Sequence, residues 1–199
     1  MIAVIDYDSG NLTSVSSALK FLKADFFVTK KPEDLSRADK VIFPGVGEAV
    51  QAMGNLNKSG MGEALKAYAA GGKPFLGICM GSQILFDHSE ERDADCLGIL
   101  PGKVLRFPSD MGMKIPQIGW NTVDFKDDPL TKGLSEEDSF YFVHSYYISP
   151  ATDDLVLGKS EYGIPFTAAV RKDNVWATQF HPEKSGKPGL KILDNFINL

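Results

Sequence analysis

Hydrophobic positions fall into short runs separated by polar, glycine-containing breaks, and their period changes between the two halves of the chain. Ile2–Ile5 is a continuous apolar run ended by Asp6, the pattern of a short buried strand. Leu12, Val15, Leu19 and Leu22 recur at helical spacing and predict an amphipathic helix over 12–22. Strands are predicted over 26–29 and 41–43, the second cut off by Pro44-Gly45-Val46-Gly47. A helix follows over 63–70 and stops at Gly71-Gly72; then come a strand over 75–78 and a helix over 82–86. Strands and helices in such short alternation imply a parallel sheet with helices on both faces.

The second half reads as strands over 120–125, 139–149, 155–159, 166–171 and 175–180. Asp173-Asn174 would turn the last two into a hairpin, so part of the sheet is antiparallel. A closing helix over 187–199 turns Leu190, Leu193, Phe196 and Ile197 inward. The expectation is one α/β domain over 1–199. It has three layers, with a mixed, mostly parallel central sheet flanked by helices and antiparallel strands in the C-terminal half.

Composition narrows the function. The 199 residues, 43% hydrophobic and 24% charged, are those of a soluble globular protein with room for a core. A net charge of −5 with scattered Lys and Arg argues against nucleic-acid binding. The uncharged stretch Phe75–Phe86 is too short to span a bilayer, and no basic region precedes Ile2–Ile5 to make a signal peptide. A cytoplasmic protein without a membrane partner is expected. Two cysteines, Cys79 and Cys96, are too few for a disulfide scaffold and wrongly spaced for zinc, so no metal or cofactor is expected. A Cys79–Cys96 bridge is disfavoured in the cytosol. Cys96 lies beside Asp95, whose charge raises a thiol pKa, and reads as structural.

Gly77-Ile78-Cys79-Met80-Gly81 sits at a strand-to-helix turn, where flanking glycines let neighbouring backbone approach. Alone it has two readings. Cys79 is the nucleophile of an elbow, or it is a small core hydrophobe. A nucleophile needs a base, and the chain has three histidines. His88 lies in a polar stretch and reads as a solvated loop residue. His144, inside the strand Phe142-Val143-His144-Ser145-Tyr146, is either half-buried or lines a pocket. His181 ends the strand Trp176–Phe180, where active sites of parallel sheets lie, and is followed by Pro182 and Glu183. Pro182 fixes φ and keeps the chain extended there, so Glu183 shares the side of His181 and accepts from its Nδ1–H, leaving Nε2 for the thiol proton. That pairing favours the nucleophile. Attack on a carbonyl then needs two amides facing the oxyanion. Met80 supplies one, and Val46 of the Gly45-Val46-Gly47 loop the other, unless that loop is simply a strand-ending turn. Gln83, four residues after Cys79, either lies beside the nucleophile or is an ordinary solvent-facing helix residue.

Gly-x-Cys-x-Gly-x-Gln with a distant His-Pro-Glu resembles the triad-type, or class I, glutamine amidotransferases, whose fold is flavodoxin-like. The match spans the chain through Asp6–Leu12, Pro44–Gly47, Gly77–Gln83, Pro116–Asn121, Phe142–Tyr146 and His181–Ser185. It implies hydrolysis of the L-glutamine side-chain amide through a γ-glutamyl thioester, with release of ammonia. It implies Cys79 as nucleophile, His181 as base and then acid, and Glu183 as orienter. It also implies that Gly45 and Gly47 meet the substrate, and that Gln83, Glu91, Ser145 and Tyr146 hold its α-amino and α-carboxylate groups. Within the family the motifs are most similar to the branch that forms a heterodimer with a (β/α)8-barrel cyclase of histidine biosynthesis, through which the ammonia passes. Asn11, Trp120, Tyr141 and Lys184 are candidates for that docking face; read without the resemblance they are surface and half-buried strand residues. Asp8 and Thr13 depart from the small residue and the Arg common in the first motif, away from the triad.

Alternatives are a glutaminase of the pyridoxal phosphate synthase type, a thiol protease or stress protein of similar fold, and a catalytically silent regulatory subunit. The first is expected to show Pro-Gly-Gly-Glu-Ser where this chain has Pro44-Gly45-Val46-Gly47-Glu48. The second often has His after Cys, where Met80 stands here. The third would lack a triad member, and all three are present.

Overall fold

A computed structural model describes residues 1–8 and 11–199; Ser9 and Gly10, inside the Asp6–Leu12 motif, lie outside the described residues. The first half alternates as β1 (Ile2–Ile5), α1 (Leu12–Phe21), β2 (Phe26–Thr29), β3 (Lys40–Gly45), α2 (Ala49–Ser59), α3 (Met61–Ala70), β4 (Phe75–Cys79) and a single turn of helix, α4 (Met80–Gln83). The second half is mostly strand: β5 (His88–Ser89), β6 (Ala94–Asp95), β7 (Gly102–Arg106), β8 (Gln117–Thr122), β9 (Asp124–Phe125), β10 (Ser139–His144), β11 (Tyr146–Pro150), β12 (Val156–Tyr162), β13 (Ile164–Lys172) and β14 (Val175–Thr178). Helix α5 (Gly186–Ile197) closes the chain.

The main sheet runs β2-β1-β3-β4-β14-β13-β11-β7-β5-β6, with β12 and β9 added alongside β13. From β2 to β14 every pairing is parallel; from β14 to β7 every pairing is antiparallel. Strands β8 and β10 form a separate antiparallel ribbon. Successive strand residues face opposite sides of the sheet. Ala3 and Ile5, with Val41, Phe43 and Phe75, join Leu56 of α2 and Leu65 of α3 in one core. Ile2 and Val4, with Ile42, Leu76 and Ile78, join Leu19 of α1 and Phe196 of α5 in the other. Both faces of the parallel half are therefore covered, which is why its strands read as apolar runs rather than alternations. Among the described residues no helix is long and apolar enough to cross a membrane.

Several elements differ from expectation. Helix α2 has no sequence counterpart above. Its buried stripe is only Ala49, Ala52 and Leu56, and Gly54, Asn55 and Asn57 weaken its helical signal. The strand expected over 41–43 continues through Pro44 to Gly45, paired with Ile78 and Cys79. Pairing with β1 has already ended at Ile42, so the missing Pro44 N–H costs no ladder bond on that side. The single strand expected over 139–149 breaks at Ser145: β10 stays in the ribbon and β11 crosses to the main sheet. The helix expected over 82–86 ends at Gln83, and the strand expected over 175–180 ends at Thr178. Strands β5, β6 and β7 are too short or too mixed to announce themselves. The Asp173-Asn174 hairpin forms, with Lys172 opposite Val175 and Asp173 at φ 52°.

The glycines of the elbow are steric necessities. A Cβ on Gly81 would lie 1.8 Å from the Phe43 carbonyl oxygen, and one on Gly77 would lie 2.8 Å from Leu85 Cδ1. Gly54, inside α2, has nothing within 4 Å of such an atom. Gly81→Ala is therefore expected to lower the melting temperature sharply. Gly54→Ala should raise stability by about 0.5–1 kcal/mol, because alanine loses less backbone entropy in a helix. Thermal unfolding of the two variants checks this contrast, and a neutral Gly81→Ala would contradict the packing described.

Candidate active site

Three parallel strands end side by side. Gly45 at the end of β3 pairs with Cys79 at the end of β4, and Thr178 at the end of β14 pairs with Ile78. Cys79 occupies φ 53°, ψ −111°, directly before α4. A non-glycine residue with positive φ costs about 1–3 kcal/mol and persists only where its surroundings over-determine it. Here Gly77 and Gly81 supply that close packing, so the thiol is turned out of the strand at the sheet end. The Met80 N–H, first amide of α4, has no acceptor within the helix.

His181 is fully buried, three residues past β14. Its Nδ1 lies 2.7 Å from Glu183 Oε1. The chain does not stay extended here, as was expected. Pro182–Lys184 is a 3-10 turn with Pro182 in its first position, where a missing N–H is harmless. The turn, rather than strand alternation, swings Glu183 back to the imidazole. Asn11 Nδ2 also donates to Glu183 Oε1 and lies 3.4 Å from His181 Nδ1. Asn11, assigned above to a docking face, thus presses its amide on the His181–Glu183 pair.

Burial alone pushes the His181 pKa down. Interaction with the neighbouring Cys79 sulfur, and then with Glu183, outweighs it and raises the pKa from 6.5 to about 10. A raised pKa stabilises the fold fully below 6.5, and that contribution is lost as pH rises through about 10. The protonated imidazole is thus held between a sulfur and a carboxylate.

Cys79, His181, Met80, Val46, Gly47, Gln83, Glu91, Ser145 and Tyr146 all line one pocket of about 310 Å³. Gly45, expected to meet the substrate, is not among the lining residues. A Cβ there would meet the Tyr7 hydroxyl at 1.9 Å, so only glycine lets Tyr7 pack under the loop. Glu183 supports the pocket from behind His181. Pro116, Val143 and His144 line it as well; the first two lie inside the quoted motifs but carry no predicted site role. The open choice for His144 resolves as buried and pocket-lining. Burial, opposed by its bond to the Tyr146 carbonyl and reinforced by the His181 charge, lowers its pKa to about 4, so the ring is neutral.

Glu91 has a second contact that sequence did not suggest. Its Oε2 accepts from the Ala49 N–H at 2.8 Å, at the first residue of α2, while Arg92 pairs with Glu48 at 3.0 Å. The turn after β5 therefore grips both residues that follow Gly47. Burial raises the Glu91 pKa. Cys96 is a free thiol pushed up to about 12 by burial, then by Asp95 and Glu91. It is structural in character, although burial rather than its acidic neighbour is the larger cause.

Trp120, Tyr141 and Lys184 meet on the surface outside His181. Trp120 is 58% exposed on β8. Its ring lies 5.9 Å from that of Tyr141, and Lys184 Nζ lies 5.9 Å over the Tyr141 ring. The Tyr141 ring in turn lies 6.5 Å from the His181 ring.

The geometry suits sulfur attack on a carbonyl, with one imidazole to give and take the proton. Because Cys79 is the leading cause raising the His181 pKa, Cys79→Ser should make the imidazole titrate at lower pH than in the wild type. NMR titration of labelled histidine measures it; an unchanged titration would mean that sulfur and ring do not interact.

A family model described as Glutamine amidotransferase class-I matches residues 3–199. The imidazole glycerol phosphate synthase subunit HisH of Thiobacillus denitrificans is 50% identical, with 98% of this chain and 90% of that protein covered. HisH of Herpetosiphon aurantiacus is 48% identical over 100% of this chain and 94% of that protein. A solved glutamine amidotransferase superposes with a TM-score of 0.76 at 20% identity, covering 100% of both chains. The glutaminase domain of Trypanosoma brucei CTPS gives 0.67 at 15% identity, covering 99% of this chain and 90% of that one. These two structures support the fold alone.

Proposed function

The chain belongs to the class-I glutamine amidotransferase family, and on that premise we propose that it is the glutamine-hydrolysing subunit of an imidazole glycerol phosphate synthase in histidine biosynthesis. The observation that carries this reading is the pocket in which the Cys79 sulfur and the buried His181–Glu183 pair meet Gln83 and Glu91. Relatives named as that synthase subunit cover nearly the whole chain, which supports the choice over other glutaminases.

In this mechanism Cys79 Sγ attacks the γ-carbonyl carbon of glutamine. Charge accumulates on the carbonyl oxygen, which the Met80 and Val46 amides receive; one such donor is worth roughly 3 kcal/mol of barrier. His181 gives its Nε2 proton to the amide nitrogen, the C–N bond breaks, and ammonia leaves a γ-glutamyl thioester. Water then attacks the thioester, His181 takes its proton, and glutamate departs with the thiolate restored. Glu183 keeps the imidazole oriented throughout. Gly45 and Gly47 shape the loop against the substrate, while Glu91, Ser145 and Tyr146 take its charged end. No step calls for a metal or cofactor.

The ammonia passes to a separate cyclase of (β/α)8-barrel form, docked as a heterodimer. Ammonia in neutral water becomes mostly ammonium, which cannot attack, so the two sites must be joined without bulk solvent. The Trp120, Tyr141 and Lys184 cluster, with Asn11 behind it, lies between the surface and His181 and is the proposed docking face.

Cys79→Ala should abolish glutamine-dependent synthesis by the complex while leaving synthesis from added ammonia intact. Retained glutaminase activity in that variant would refute the mechanism. Trp120→Ala should weaken association with the cyclase by about tenfold or more, as expected for a buried aromatic anchor. Calorimetric titration against the cyclase reads this directly, and unchanged affinity would move the interface elsewhere.

A further inference from the structure

The polar side chains under the pocket carry one more step, which rests on the glutaminase reading above. Gln83 is almost completely buried and lines the pocket. Its Nε2 lies 3.0 Å from the Tyr146 carbonyl oxygen and 3.1 Å from Gln179 Oε1. A main-chain carbonyl can only accept, so the Gln83 atom that meets it must be the amide nitrogen. A primary amide has two N–H bonds: one goes to Tyr146, the other to Gln179. The second lone pair of the Tyr146 carbonyl is taken by His144 Nδ1–H at 2.8 Å. The other ring nitrogen, Nε2, lies 2.8 Å from Gln117 Oε1, which ties His144 across the β8–β10 ribbon.

What remains of Gln83 is its Oε1, buried and without a protein partner. A buried acceptor without a partner is unfavourable until a donor arrives. The pocket also holds the Glu91 carboxylate. An acceptor oxygen and a carboxylate in one pocket suit an ammonium group and repel a carboxylate. That polarity depends on both Gln83 N–H bonds being occupied. Gln179 itself is fully buried, is not among the pocket-lining residues, and is held by its own N–H to the Ala168 carbonyl at 2.8 Å.

We infer that Gln179 is a positioning residue that orients the Gln83 amide and thereby sets the preference for a substrate carrying an α-ammonium group. Without it, the second Gln83 N–H is released and the amide is free to turn a donor toward the pocket.

The test compares two substrates, L-glutamine and glutaric acid monoamide, which lacks the α-amino group, on the full chain with cyclase and its ligand present. The readout is the ratio of the two kcat/KM values, which does not depend on how much enzyme is folded. In the wild type the ratio should strongly favour glutamine. In Gln179→Met it should fall by about tenfold or more, equivalent to about 1.4 kcal/mol, mainly through KM for glutamine. Gln179→Glu keeps an acceptor oxygen at the same reach and should retain most of the preference. A Gln179→Met ratio equal to the wild type, or a Gln179→Glu ratio as low as that of Gln179→Met, would overturn the inference. Wild-type enzyme that does not hydrolyse glutamine would overturn the glutaminase reading together with it.

Discussion

The site depends on the close approach of the β4–α4 turn to the end of β3. With 1.8 Å between a would-be Cβ on Gly81 and the Phe43 carbonyl, no other residue fits without moving a strand. That approach holds Cys79 at positive φ and aims its sulfur away from the sheet. It also brings Gly45 into register with Cys79, so the loop carrying Val46 starts beside the nucleophile. The strand order then places β14 on the other flank of β4, and His181 arrives from that side. One steric constraint thus assembles Cys79, His181 and the amides of Val46 and Met80 at a single edge.

Electrostatics act on that frame in two different ways. Around His181, burial is overcome by a sulfur and a carboxylate, and the ring is held protonated. Around His144, burial wins and the ring stays neutral. Two imidazoles lining one pocket therefore do opposite work. The charged one sits against the Glu183 carboxylate, and the neutral one holds a carbonyl that in turn holds Gln83. A buried polar network is stabilising only when its members are satisfied, and here Gln83 Oε1 and Gln179 Nε2 are both buried without a protein partner.

Legibility in the sequence followed the strength of local signals. The parallel half, with its apolar runs and glycine stops, was readable almost to the residue at β2 and within one residue at the C-terminus of α1. Helix α2 was not readable, because alanines and a single leucine make a weak stripe. The break at Ser145 was hidden for another reason: residues on both sides are good strand formers, and only their pairing with different sheets separates them. Glu183 was placed correctly beside His181 but for the wrong local reason, since a 3-10 turn delivers it.

The sequence by itself determined the chemistry. Cysteine between glycines, His-Pro-Glu and a glutamine four residues after the nucleophile are statements about residue type and spacing, and these are local. Only the tertiary structure decided which distant groups meet. Asn11 came to Glu183, Glu91 to the first amide of α2, and Gln179 to Gln83, none of them close neighbours in the chain. Such contacts depend on strand order and on where each strand stops. Both are set by packing two cores against one sheet, and no short stretch of sequence records that.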